Sequence, residues 1–383
     1  MKIYTTKISH AISDVKKEQW DAIAPDPFMT YGCLQTIEKT YIGSVRPTYH
    51  TVWDRDMLAG AAVCYIVEKD ERLFTIDNYL FGRFEKYAAN LGASFLPVFL
   101  CGSLSFEGGH ISIDNNRDMN DRETILNLLL DAIEIEAKHH NLPICFSHIT
   151  DDEYRLSRLL KNRNYNHTVI PPFYYLDIEW SSFDEYVESL KQISRSSKKR
   201  VKNEINRNKK EGVRIEIEKE PGKYQDRLYE LINNNYHKHN DLQIYFSWEF
   251  VNELKRNIGN DSVFYVSWKD NMITGCSILL RKNDAGHVYL VGVDEELVKN
   301  DRTYFNLCYY RPIQDAISNG LKKMKFGMGE HKVKTRRGCK TGNSYIYYKA
   351  SGKRFNFVLK PLFALFSSWY QRKNALILKK IGG

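Results

Sequence analysis

The sequence predicts an α+β protein made of two copies of one architectural unit, and three observations carry that prediction. A chain of 383 residues exceeds what one ordinary core serves, so two domains of roughly 150–200 residues are expected. An apolar content of 43%, with 13% aromatic residues, provides material for packed globular cores. Finally, helices, antiparallel-looking strands, a long helix and a short buried strand recur in that order in both halves. The recurrence is one of architecture rather than of residues.

In the first half, Pro25 and Pro27 break the chain ahead of a helix predicted over Tyr31–Tyr41. Strands are predicted over Tyr49–Asp54 and Gly60–Glu68, with Arg55-Asp56 between them as a hairpin turn. Residues 82–110 are rich in Gly, Ser, Pro and aromatics and predict a long irregular loop. Glu123–His139 has helical spacing, with Ile125, Leu129, Ile133 and Ala137 on one side. Pro143 stops it, and Ile144–Ile149 reads as a buried strand containing His148.

The second half begins near Pro171-Pro172. Phe173–Ile178 is strand-like, Ser181 or Ser182 offers an N-cap, and Phe183–Ile193 reads as an amphipathic helix. Residues 195–212, RSSKKRVKNEINRNKKEG, form a helix whose apolar stripe is only Val201 and Ile205. Its cations suit either a solvated face or an anionic ligand, and both readings stay open. A strand at Val213–Ile217 and a helix at Arg227–His239 follow. His237 and His239 are two apart and point to different helix faces, a poor spacing for a shared metal. Three strands, Val263–Trp268, Ile273–Arg281 and His287–Val293, precede a helix at Thr303–Ser318 that Pro312 bends or restarts.

The densest chemistry lies in Lys325–Lys349, KFGMGEHKVKTRRGCKTGNSYIYYK. Gly327 and Gly329 free the backbone to turn sharply. Glu330 and His331 follow side by side, an acid and an imidazole able to handle a proton near neutral pH. Lys332, Lys334, Arg336 and Arg337 then suit an anionic ligand, although a solvated basic loop has the same composition. Cationic character is concentrated in this region. From Leu321 to Gly383 there are sixteen Lys/Arg against one acid, a charge of +15, so the preceding residues carry −6 of the chain's +9. Phosphate-bearing ligands, anionic lipid and nucleic acid are the partners such a charge admits.

The seven Cys are scattered without CxxC or Cys/His spacing. They predict reduced thiols in a cytoplasmic setting, with no disulfide framework and no metal site. The N-terminus has no apolar run of signal-peptide length, and no window has the roughly 18 apolar residues of a membrane span. Residues 355–383, FNFVLKPLFALFSSWYQRKNALILKKIGG, mix Phe, Leu and Trp with Lys and Arg and contain no acid. Such a tail is suited to a membrane surface. The alternative is a helix packed on the second domain.

Several stretches resemble the FemAB-like branch of the GNAT superfamily of N-acyltransferases. RSSKKRVKNEINRNKKEG is similar to that family's basic helix, TYFNLCYYRPIQDAISNGL to its HFExCYYxxIxxAIxxGL pattern, and GMGEHKVKTRRG to GAQGEHKxxRG. PFMTYGCLQTIEKT is a fainter likeness to its entry motif, so the resemblance is strong only after residue 171. It implies a tandem, or double, GNAT-like fold of class α+β, with two mixed central sheets flanked by helices. The domains would be 1–170, 171–354 and a basic amphipathic tail, 355–383.

The resemblance also implies an N-acyltransferase in which an amine attacks the acyl carbonyl directly. Glu330 and His331 would handle the proton. Lys332, Arg336, Arg337, Tyr304, Asn306, Tyr309, Tyr310, Arg195, Lys198 and Lys199 would bind substrate or donor. Acyl-CoA or acyl-carrier protein would be the co-substrate, with no bound cofactor. The acceptor would be a lipid-like amine, in its most specific form a sphingoid base giving a ceramide-type product. The expected location is cytoplasmic, peripheral at the inner membrane face through 355–383, with no DNA partner. Two departures bear on this. The EHK triplet lies about two residues further from Arg337-Gly338 than in the family pattern, and DEELVKNDRTYF before the helix lacks the usual phosphate-binding loop. An aminoacyl-tRNA-dependent ligase acting on a cell-wall precursor and a non-catalytic binding module are the alternatives.

Overall fold

The computed structural model describes residues 3–68, 75–104 and 108–379. In chain order its strands are β1 (Tyr4–Ser9), β2 (Arg46–Asp54), β3 (Met57–Val67), β4 (Val98–Cys101), β5 (Ile111–Ile113), β6 (Ile144–Thr150) and β7 (Asn166–Asp177). There follow β8 (Arg214–Glu218), β9 (Ser262–Lys269), β10 (Met272–Lys282), β11 (Ala285–Val293), β12 (Lys323–Met328) and β13 (Lys340–Lys349). The chain divides into two compact units. Unit 1 is Met1–Pro172 with Asn343–Gly383, and unit 2 is the uninterrupted Phe173–Gly342.

In unit 1 the strand order is β1-β2-β3-β4-β6-β13, with β5 also on β3. The β2–β3 hairpin turns at Arg55, whose φ is 56°. β4 and β6 run parallel only where Phe99, Leu100 and Cys101 face Ile144, Cys145 and Phe146. The helix Met119–His139 is capped by Asp118, whose carboxylate accepts from the Asn120 and Asp121 amides. Its Ile125, Leu129 and Ile133 complete a core with Val52, Phe99 and Phe146. The expected irregular loop over 82–110 is a correction. It holds a helix, Glu85–Asn90, and β4, and another helix, Ile76–Phe81, precedes it. Tertiary bonds order the stretch, because the buried Asp77 carboxylate accepts from Ser94 Oγ and, at 2.8 Å, from the Phe95 amide. Residues 105–107 of that expected loop lie outside the described residues.

Unit 2 repeats the plan. Its order is β7-β12-β11-β10-β9-β8, and β11 and β12 run parallel only where Ala285, Gly286 and His287 face Lys323, Met324 and Lys325. Helices Arg195–Lys210, Gln225–Asn240, Phe250–Ile258 and Thr303–Ser318 accompany the sheet. The core joins Tyr174, Leu176 and Tyr186 to Leu279, Leu307, Ile313 and Met324. The helix predicted over Phe183–Ile193 ends as α at Ser189 and continues as a 3-10 turn, Leu190–Gln192. Ser189 Oγ donates to the Tyr186 carbonyl at 2.7 Å, a local bond that competes with the helical ladder. The C-terminal helix, Lys353–Lys379, packs on unit 1, not on the second unit as its packed alternative supposes. Among its described residues, Leu359, Phe363 and Tyr370 are buried.

Candidate active site

The site in unit 2 starts from a gap in its sheet. Past His287 and Lys325, β11 continues to Val293 beside β10 while β12 continues to Met328 beside β7. The two parallel strands therefore part at the middle of the sheet. The chain leaving β11 enters the helix Thr303–Ser318 at this opening. Asp301 occupies the helix start, with Oδ1 accepting from the Thr303 amide at 2.9 Å. Its other oxygen is buried without a hydrogen bond, 3.9 Å from Lys269 Nζ. A helix N-terminus ordinarily attracts a phosphate; here a carboxylate of the chain is already in place. Asn306–Tyr310 is a π-turn leading into Arg311–Ser318. Pro312 has no N–H to give to the preceding turn, and the wider turn accommodates its ring.

At the end of β12 the backbone takes left-handed angles at Gly327, Gly329 and Glu330, with φ of 65°, 78° and 49°. Glycine adopts this region freely, whereas Glu330 does so at a steric cost that its surroundings must hold. The Glu330 carbonyl accepts from the Val333 and Lys334 amides at 2.9 and 3.1 Å, which fixes the short helix His331–Thr335. His331 is half-buried, and its Nδ1 is hydrogen-bonded to the Tyr174 hydroxyl. Burial pushes the Tyr174 pKa well up, so the phenol stays protonated. The Tyr304 pKa is also raised, by Cys308 first, then by burial, with a further push from Glu330. Glu330, exposed, and His331, bonded to Tyr174, thus stand next to each other at the turn that follows β12.

The cationic run divides. Lys332 and Arg336 are exposed. Lys334 is buried and donates to the carbonyls of Phe326, Gly327 and Met328 at 2.7, 3.0 and 2.6 Å, so it clamps the turn. Arg337 is buried as well. It pairs with Glu204 at 2.5 Å, donates to the Val333 carbonyl, and packs against the rings of Phe305, Tyr309 and Tyr310. Burial pulls its pKa down, but Tyr310 and Glu204 outweigh that and raise it. The anion-binding role expected of Arg337 is therefore corrected, because the guanidinium is committed inside the unit.

The same holds for three residues of the long helix. Asn306 donates to the Arg302 and Glu204 carbonyls. Tyr309 stacks on Phe326 at 5.2 Å, and the Tyr310 hydroxyl bonds the Glu204 carboxylate. Of the basic-helix candidates, Arg195 and Lys199 are exposed, while Lys198 pairs with Glu188 at 2.6 Å. Sequence reasoning missed Glu204, Tyr174 and Asn208, whose amide holds the helix start by donating to the Asp301 carbonyl at 3.3 Å and to Thr303 Oγ1 at 3.0 Å. The first had a signal. Glu204 is the lone acid of a cationic helix, three residues after Val201 and four before Asn208, on the face that is buried.

The corresponding gap in unit 1 is filled from within. The Gly108 amide donates to the His148 carbonyl, and His110 reaches Ser147 O and the Glu153 carboxylate at 2.5 and 2.8 Å. A wide groove of about 1110 Å³ also lies in unit 1, beside the C-terminal helix. Its lining includes Lys138, Lys161 and Lys353, and the Glu134 and His167 there have other partners, Glu134 accepting from Tyr165 and Lys349 and His167 stacking on Tyr347, so the turn after β12 in unit 2 is the candidate site. His237 and His239 are exposed on their helix, and no trio of His, Cys, Asp or Glu among the described residues is placed to hold a metal.

A family model described as FemAB-like, peptidoglycan biosynthesis/recognition, matches residues 11–368. No curated protein matches the sequence. Among solved structures, FemX aligns with a TM-score of 0.57 at 11% identity, covering 94% of this chain and all 100% of that one. A conserved protein of unknown function from Bacteroides thetaiotaomicron aligns at 0.53 and 10% identity, covering 90% of this chain and 100% of its own. A tandem GNAT protein from the clavulanic acid biosynthesis pathway aligns at 0.49 and 10%, over 91% and 99% of the two chains. The fold is the one FemX has, with two α+β units in tandem whose strands are mixed in direction.

Proposed function

The chain belongs to the FemAB-like family, and from that premise we propose that it is an N-acyltransferase whose acceptor is a lipid-like amine. The observation that carries the reading is the parted β11–β12 pair with Glu330 and His331 at the adjacent turn. An acyl carbonyl seated in the gap can meet backbone N–H groups that no neighbouring strand takes up, the donors a developing oxyanion requires. The acceptor amine attacks that carbon, the bond to the donor's sulfur breaks, and the thiolate leaves. The amine proton passes to His331. If Nδ1–H donates to the Tyr174 oxygen, Nε2 carries the lone pair that accepts it. Glu330, the neighbouring acid, shares the proton handling, and the exposed Lys332 and Arg336 meet anionic parts of the substrates.

Asp301 at the helix start weighs against a pyrophosphate resting there. Of the two donors, acyl-CoA and acyl-carrier protein, it favours the carrier. The acid-free C-terminal helix supports an acceptor with lipid character. A second reading, aminoacyl transfer from tRNA to a cell-wall precursor, draws on the family's description and on the exposed cations of Arg195–Lys210.

The test is a lipid profile of the host with the gene removed, then restored as wild type, Glu330→Gln or His331→Ala. One N-acylated class should vanish and its free amine accumulate, with neither variant restoring it. Losing a general base should lower the purified enzyme's kcat by about a hundred- to ten-thousand-fold, with the melting temperature retained. An unchanged lipid profile overturns the lipid acceptor. Binding to tRNA that weakens by a log–log slope of about 0.7–0.9 per phosphate as salt rises would instead establish the second reading. A biological role untouched by both variants would make the protein a binding module.

A further inference from the structure

We infer that one exposed face of the C-terminal helix is a docking surface for a bilayer containing anionic lipid. The helix Lys353–Lys379 is fixed to unit 1 by a neighbouring side. Phe363 packs on Tyr348 and Phe95 with ring centroids 5.8 Å apart, the Tyr370 hydroxyl donates to the Tyr79 carbonyl at 2.5 Å, and Asn356 donates to the Asn164 carbonyl at 2.8 Å. With that side held, Phe355, Val358, Leu362, Leu365, Trp369 and Leu376 fall at steps of three, four, three, four and seven. That spacing puts all six on one stripe. Apart from Leu362, which is partly buried, they are 52–69% exposed. A lone exposed Leu needs no explanation, but a stripe running the length of a helix does.

Charge selects the occupant. Arg354, Arg372 and Lys373 border the stripe, and among the described residues none of them is ion-paired. Lys373 Nζ lies 4.9 Å from the Trp369 ring centroid, the pairing of cation and aromatic that suits a headgroup layer. Residues 353–379 contain six Lys/Arg and no Asp or Glu. A second copy of the helix laid on the stripe would bring cations together with no carboxylate to answer them. An anionic lipid surface supplies the counter-charge and receives the apolar side chains at once. No helix among the described residues is long and apolar enough to cross the membrane, so the helix lies on the surface.

The experiment uses the full chain and two vesicle types, phosphatidylcholine alone and phosphatidylcholine with phosphatidylglycerol at about three to one, read by flotation. Wild type should float with the anionic vesicles. Leu365→Glu with Trp369→Glu should lower that binding by at least about tenfold. Arg354→Gln, Arg372→Gln and Lys373→Gln together should weaken it on the order of a hundredfold. All these side chains are exposed, so circular dichroism and the melting temperature should match wild type. Phe357→Glu, also exposed but on another face of the helix, is the control and should bind as wild type does. Failure of wild type to float, or equal binding by the Leu365/Trp369 variant, overturns the proposal. So does a lipid-free dimer in sedimentation velocity that Trp369→Glu dissociates, because the stripe's partner would then be a second copy. Flotation reads no catalysis, so either result leaves the transferase reading to its own test.

Discussion

At the scale of single residues, the basic run after Glu330 shows where sequence reading ends. Lys332, Lys334, Arg336 and Arg337 are equivalent as composition, yet Lys334 and Arg337 are interior and the other two are not. The difference is set by partners distant in sequence, above all Glu204, 133 positions before Arg337. The buried histidines of unit 1 give a sharper case, with a pH consequence. His110 has an acceptor at each ring nitrogen, Glu153 and the Ser147 carbonyl, so it is held as the cation. Burial pulls its pKa down, but Glu153 outweighs that and the pKa is raised. Burial, aided by the charge on His110, pushes the His148 pKa down to about 3. The two act on opposite sides of the ordinary histidine value, near 6.5. As pH rises through the folded pKa of His110, the stability from its proton is lost. As pH falls from about 6.5 toward 3, the unfolded chain takes up a proton that folded His148 refuses, at up to about 1.4 kcal/mol per pH unit. The Glu153 pKa is lowered despite burial, chiefly by His110, so its contribution is lost as pH falls below the ordinary carboxylate value of about 4.3. Urea denaturation across pH 4–9 should therefore give a maximum near about 6.5. His110→Gln should flatten the alkaline limb. His148→Asn, which tolerates the φ of 67° there, should flatten the acid limb.

At the scale of elements, most of the fold is legible because periodicity reports burial directly. The β2–β3 hairpin, the helix ending at His139, the strands β9, β10 and β11, and the helix Thr303–Ser318 all lie within a few residues of their sequence positions. The order within 75–101 was not legible, because the bonds to Asp77 join parts of the chain with no shared period. The parting of β11 from β12 was likewise invisible, since a strand's pattern does not say where its neighbour leaves. One glycine beside the gap marks the close approach that shapes it. A Cβ on Gly292 would stand 2.3 Å from the Leu231 carbonyl carbon and 2.4 Å from its oxygen, both backbone atoms of the helix Gln225–Asn240. No rotamer can relieve that contact, so β11 or the helix must move. Gly292→Ala should destabilise unit 2 by about 1–3 kcal/mol or more. Because β11 lines the opening, it should also raise KM more than a remote change of equal stability cost. Denaturation with steady-state kinetics checks both, and an unchanged midpoint would show that the helix yields at no cost.

At the scale of the whole molecule, the two units differ in how the chain builds them. Unit 2 is one continuous segment with its own core, Tyr174 through Cys339. Unit 1 is closed by residues from both ends. Tyr347 belongs to its core, β13 pairs Tyr348 with Cys145 on β6, and Phe363 packs on Phe95. The sequence pattern placed the break near residue 171, but it could not show that the last strand returns to the first unit. That is a fact of pairing, not of composition. The return has a consequence for dissection. Deleting 355–383 removes a wall of unit 1 along with any surface contact, which is why single exposed positions make the cleaner probe of docking. It also predicts an asymmetry between fragments. Phe173–Gly342 expressed alone should melt cooperatively and keep slow amide exchange in β9 and β10. Residues 1–172 alone should not, since β6 would lose its β13 partner and leave an unpaired edge of buried apolar residues prone to aggregate. Adding residues 343–383 in trans should restore a cooperative transition to 1–172. A cooperative melt of 1–172 by itself would mean that β6 and the helix Met119–His139 carry the first core without the returning strand.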